Sequence, residues 1–216
     1  QYQNAIKIYE ELLRTNPNNY TYLTELAKLY RYEKNYTKSK DLYLKLIELN
    51  PKDYDAHLGI AFVYYFEGDY ERAKESANLV IKNVPKYQDA YLLLGKINMA
   101  QGDNELAETN ISKAIELEPD DFEGINVYSA LHKRRHKFIT AERSLKKALD
   151  KFPDNEELLK KLDDLFIYTH PFLKISTAVV HEREKDLVSK ITTTDIDTVL
   201  TTLLYQHPVN DQLYPF

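Results

Sequence analysis

The sequence has no cysteine, no tryptophan, one methionine and only five glycines in 216 residues. Without cysteine there is no disulfide scaffold, no thiolate metal site and no cysteine nucleophile. A chain of this kind fits the cytoplasm and a bacterial periplasm equally, so the compartment stays unknown. So few glycines leave no glycine-rich loop to cradle a phosphate. No run of about 18 apolar residues occurs, so no segment reads as a membrane-spanning helix. No secretory signal stands at the start. The chain opens at Gln1, without a methionine and in mid-pattern, and reads as a fragment. A net charge of −5 disfavours general attraction to nucleic acid or to an anionic membrane.

What the chain does have is 43% hydrophobic and 29% charged residues, the balance of a folded soluble protein, and 18 tyrosines. It also has a period. Pro17, Pro51, Pro85, Pro119 and Pro153 are spaced 34 residues apart. Twelve residues before each stands a small residue: Ala5, Ser39, Ala73, Ala107 and Ala141. Leu12, Leu46, Val80, Ala114 and Ala148 keep the same register, as do Leu26, Ile60, Leu94 and Tyr128. Each unit therefore holds two amphipathic stretches of about 14 residues with apolar spacing of three and four, which predicts two helices. Lys34-Asn35, Gly68-Asp69, Gly102-Asp103 and His136-Lys137 break them in the middle. The proline ends the second helix because it lacks an N–H and disfavours helix just before itself. Asn18-Asn19, Asp53, Asp120-Asp121 and Asp154-Asn155 then offer caps for the next. One such hairpin cannot bury its apolar face alone, so neighbours must stack.

The period, the small–large alternation and the closing proline resemble the tetratricopeptide repeat family. Four full units fit, at residues 20–53, 54–87, 88–121 and 122–155. Residues 1–19 read as the second helix of a preceding unit, and 155–168 as a capping helix with a polar face at Asp163-Asp164. The usual tryptophan of the family is replaced by Leu23, His57, Tyr91 and Ile125. The resemblance implies an all-α, right-handed superhelix (an α-solenoid of helix-turn-helix hairpins). It also implies a concave groove lined by first helices, which binds a peptide or a partner segment.

Helical phase places a partner-binding groove at Thr24, Lys28, Arg31, Leu58, Phe62, Tyr65, Leu92, Lys96, Met99, Asn126 and Lys133. Its centre is apolar and its flanks are charged, the composition of a binding hot spot. Family members that grip a chaperone's terminal carboxylate use a Lys and Asn set on three repeats. The comparable sites here hold Thr24, Lys28, Gly59, Asp89 and Leu93, and Asp89 opposes a carboxylate. The expected function is thus a non-catalytic scaffold for a protein or peptide, without cofactor or metal. The alternative is the periplasmic arm of a bacterial outer-membrane polysaccharide export protein, in which tyrosine-rich walls stack on a glycan.

The remaining motifs point to no chemistry. His132 and His136 lie four apart but have no third ligand, and Lys133-Arg134-Arg135 between them repel a cation. This basic run ends a helix, where cations are favourable, and it lacks interleaved aromatics for stacking on nucleic acid. His181-Glu182 begins like a zinc-protease helix, but Lys185 replaces the second histidine. Residues 169–216 form a C-terminal extension with two readings. Ile196, Val199, Leu200, Leu203 and Leu204 have helical spacing. Six threonines in residues 192–202 favour strands, and residues 204–216 resemble strand–turn–strand text of outer-membrane β-barrels.

Overall fold

The computed structural model of the chain describes residues 2–169. The alternatives for residues 172–216, and the motif at residues 181–185, lie outside them. Among the described residues there are ten helices and no strand. They are α1 (Gln3–Thr15), α2 (Tyr20–Tyr32), α3 (Tyr36–Leu49), α4 (Tyr54–Glu67), α5 (Tyr70–Asn83), α6 (Gln88–Gln101), α7 (Asn104–Leu117), α8 (Phe122–Arg134), α9 (Phe138–Leu149) and α10 (Glu156–Thr169). None is long and apolar enough to cross a membrane. The described residues divide into two compact units, one up to Gly124 and one from Ile125 on.

The helix ends follow from the residues that punctuate them. Asn19, Asn35, Asp53, Asp69 and Asp103 each accept a hydrogen bond from a backbone N–H of the first turn, at 3.0–3.3 Å. Each satisfies a donor that the helix itself cannot. The mid-unit turns share a left-handed residue in register: Lys34 (φ 60°), Gly68 (φ 81°), Gly102 (φ 86°) and His136 (φ 59°). Glycine adopts this conformation without steric cost, whereas Lys34 and His136 do so against the preference of an L side chain.

In the first unit each hairpin closes on small residues. Ala27, Ala61, Ala73, Ala77 and Ala107 are fully buried. Ser39 is buried too, and its hydroxyl donates to the Ala27 carbonyl at 2.7 Å, binding α3 closely to α2. Two apolar clusters form around these contacts. Leu23, Tyr43, Leu46, Ile60 and Val63 join α2, α3 and α4. Leu58, Ala77, Val80, Leu93 and Ile97 join α4, α5 and α6. Helix α1 packs through Ile6 on Leu26 and Tyr30. Besides pairing within hairpins, α2 touches α4 and α4 touches α6, so the first helices form a continuous row.

In the second unit, α9 packs on α10. Leu131, Ala141, Leu145, Leu158 and Leu165 are buried there, while Asp163 and Asp164 face solvent. Asn155 caps α10, accepting from the Leu158 N–H at 3.0 Å.

Candidate functional site

The row α2–α4–α6 presents the groove positions of the first unit side by side. Phe62 and Tyr65 are half-buried and lie against the apolar cluster beneath them. Met99 is half-buried as well. Thr24 folds its hydroxyl back onto the Tyr20 carbonyl at 2.9 Å. Lys28 pairs with Glu25 on its own helix at 2.8 Å, and Lys96 pairs with Glu123. In the second unit, the Asn126 amide donates to Glu157 at 3.4 Å, and exposed Lys133 stands 6.0 Å from the Tyr168 ring centre.

Two groove expectations need correction. Leu58 and Leu92 are only 4% and 3% exposed, so neither offers a ligand a usable surface. The physical reason is lateral. Leu58 packs in one cluster with Ala90, Leu93 and Ile97, so in a row of touching first helices its side is filled by α6. Gly59 and Leu93, two of the positions compared with the chaperone-tail clamp, are buried as well, Gly59 against the Tyr43 ring of α3 and Leu93 in the cluster of α4, α5 and α6.

The structure adds aromatics that helical phase did not select. Tyr32 and Phe66 end α2 and α4, one period apart, and remain 54% and 48% exposed. Tyr36 stacks on Phe66 (6.3 Å, 4°), and Tyr65 meets Phe66 edge-on at 5.2 Å. Arg31 lies over three rings, with its guanidinium carbon 5.0 Å from the centre of Tyr32, 5.1 Å from Phe62 and 5.8 Å from Phe66. The second unit repeats this motif three periods on, where Phe138 stacks on Tyr168 (4.5 Å, 12°) beside Lys133. The 34-residue spacing of Tyr32 and Phe66, and of Tyr36 and Tyr70, was the available signal.

Acidic residues recur in register at the starts of first helices. Asp55, Asp89 and Glu123 stand one period apart in the first turns of α4, α6 and α8. The Tyr87 hydroxyl donates to Asp55, and desolvation together with this bond raises its pKa. Desolvation also raises the Asp89 carboxyl, reinforced by Asp121, Glu118 and Glu123 and opposed by Lys96. The folded state therefore disfavours the charged form of Asp89. That cost is present above the raised pKa and is relieved as pH falls through it. We expect Asp89→Asn to melt above the wild type at neutral pH, with the gap closing towards about pH 4. Melting curves across this range check it, and a gap independent of pH contradicts it.

A separate cleft of about 260 Å³ lies between α1, α2 and α3, lined by Glu10, Tyr30 and Lys38 among others. Its polar groups satisfy one another. The Tyr30 hydroxyl donates to Glu10, and Lys38 donates to Tyr30 at 3.0 Å. The bond from Tyr30 holds the Glu10 carboxyl below its ordinary value, while burial and Glu10 raise the tyrosine. Among the described residues, no group of three His, Asp or Glu is placed to hold a metal ion.

Comparison with known proteins bears on this architecture. Models of the tetratricopeptide repeat match residues 20–53, 42–75 and 88–121. No curated protein sequence matches the chain. Among solved structures, a thermophilic tetratricopeptide repeat protein of Thermus thermophilus superposes with a TM-score of 0.70 at 19% identity, over 77% of this chain and 91% of that one. A tetratricopeptide repeat protein of Parabacteroides merdae gives 0.60 at 18% identity, over 95% and 80%. MamA of Desulfovibrio magneticus gives 0.57 at 19% identity, over 72% and 88%. At these identities the likeness is one of fold, and it agrees in kind with the repeat matches. The chain carries tetratricopeptide repeats and has the fold of the proteins built from them.

Proposed function

We propose that this protein is a non-catalytic scaffold that holds an extended segment of a partner protein along the row α2–α4–α6. Tetratricopeptide repeats serve protein interaction, and their fold is typically non-catalytic. The observation that carries the finer reading is the aromatic patch. Phe62 and Tyr65 sit half-buried in the row, Tyr32 and Phe66 project beside them, and Arg31 lies among the rings. Aromatic and arginine side chains at the edge of a well-packed surface are what binding hot spots are made of. Thr24, Lys28, Lys96 and Met99 would extend this contact.

The test is selection of displayed peptides on the intact chain, repeated with Phe62→Ala/Tyr65→Ala. Wild type should enrich a peptide family that the double variant loses. Both rings contribute to the apolar cluster, so the double variant should also melt earlier while keeping its helical circular dichroism. Binding is therefore compared at a temperature where both proteins are folded. Equal enrichment by both would sink the proposal. The second reading, a periplasmic arm guiding an exported polysaccharide, is favoured by the partly exposed rings of Tyr32 and Phe66, aromatic surface of the kind that contacts sugars. It requires retention of oligosaccharides, lost on Tyr32→Ser/Phe66→Ser, and no peptide enrichment.

A further inference from the structure

Arg31 is held in an unusual way for a half-buried guanidinium. Three aromatic rings surround it, and its Nε is shielded from solvent without a hydrogen-bond partner. Among the described residues no carboxylate pairs with it. The acids nearby in sequence or register are engaged elsewhere. Glu25 holds Lys28, Glu33 accepts from Gln3, Glu67 holds Lys40 and Asp69 holds Arg72. Rings stabilise a cation through their faces but supply no acceptor for its five N–H donors. The Tyr43 hydroxyl accepts a hydrogen bond from the guanidinium but brings no negative charge at neutral pH, since burial pushes this tyrosine up to about 12. The site thus has a positive charge, a planar donor fork and exposed apolar walls, and lacks an anion.

We propose that Arg31 anchors a carboxylate of the bound partner segment, with an aromatic or aliphatic neighbour of that carboxylate packed on Tyr32 and Phe66. This rests on the groove reading above and names the chemistry of its occupant. A guanidinium fork matches a carboxylate with two parallel hydrogen bonds, and the apolar walls strengthen that pairing by lowering the local dielectric. A polyanion fits less well. The acidic residues Asp55, Asp89 and Glu123 lie in the first turns of successive first helices and repel a nucleic acid or an anionic lipid surface. The partner segment is therefore an acidic–aromatic stretch of protein with one dominant acid.

The experiment uses the intact chain and peptides selected on it from a random library. Enriched peptides should carry an Asp or Glu beside an aromatic or aliphatic residue. Replacing that acid by its amide should weaken binding to the wild type by about ten- to a hundredfold, the scale of a charge-assisted hydrogen bond. The same replacement should hardly matter to Arg31→Gln, and Arg31→Lys should recover only part of the acid preference because it lacks the fork. A merely structural arginine would alter binding of acid and amide peptides equally. That outcome, or enrichment of peptides without an acid, overturns the assignment while the groove reading stands. If Phe62→Ala/Tyr65→Ala binds the peptides as well as wild type, the groove reading itself fails, and the assignment with it.

Discussion

Leu46→Ala should cost about 2–5 kcal/mol, whereas Leu44→Ala, two residues earlier on the same helix, should stay within about 0.5 kcal/mol. Leu46 is fully buried among Leu23, Tyr43, Ile60 and Val63, at the junction of three helices, while Leu44 is 49% exposed. Truncating Leu46 removes the transfer free energy of its methyl groups and leaves a cavity that surrounding helices fill only in part. The equivalent positions Val80, Ala114 and Ala148 are also buried. The site thus accepts smaller residues only where a unit's other side chains fill the volume. Urea unfolding with linear extrapolation checks both values. Because stacked repeats interact chiefly with their neighbours, hydrogen exchange should accelerate first in α2, α3 and α4. Equal costs for the two leucines would mean that α3 is rotated from the orientation described.

The difference between those leucines was legible before any coordinates, because a strict period assigns each position its burial through its counterparts. The helix boundaries were legible for a local reason. Asn19, Asp53 and Asp103 cap helices through bonds to their own first turns, and such bonds depend little on the rest of the chain. The groove was legible only in part. Phase along a single helix separates its inner from its outer face, but it does not say which flank an adjacent helix covers. Leu58 sits on that flank and is therefore buried. Tyr32 and Phe66 escaped for the opposite reason. They stand in the last turns of their helices, where neighbouring rings cover them only in part and about half of each side chain stays in solvent. Arg31 was selected for its position, but its role depends on Phe62 and Phe66 from the next hairpin, a contact 31 to 35 residues away in the chain. A single-helix reading holds no information about such an encounter.

Gly95→Leu should destabilise the first unit by about 1–3 kcal/mol, and part of that loss should vanish when Ile111→Ala is added. Gly95 lies mid-helix in α6, where its backbone is ordinary and where glycine by itself weakens a helix by roughly 1 kcal/mol relative to alanine. The residue is there for space. A Cβ at this position would stand 2.4 Å from Ile111 Cγ1 and 3.4 Å from the Ile111 backbone nitrogen, inside the closest contact of α6 with α7. Moving the isoleucine side chain relieves the clash, but the backbone nitrogen, already at van der Waals distance from a Cβ, leaves little room for the further atoms of leucine. The better helix propensity of leucine offsets only part of the overpacking. Ile111 is fully buried, so Ile111→Ala alone leaves a cavity and costs about 2–5 kcal/mol. Together the two changes place new atoms where old ones were removed. The double variant should therefore lose less than the sum of the singles, with a coupling of about 0.5–3 kcal/mol. Gly102 supplies the contrast. A Cβ there meets nothing within 4 Å, yet the residue has φ 86°. Gly102→Ala should cost about 1–2 kcal/mol through backbone strain, unaffected by Ile111→Ala. Additive losses at Gly95 and Ile111 would show that α6 and α7 approach elsewhere, and that the small residue serves the helix ends rather than their crossing.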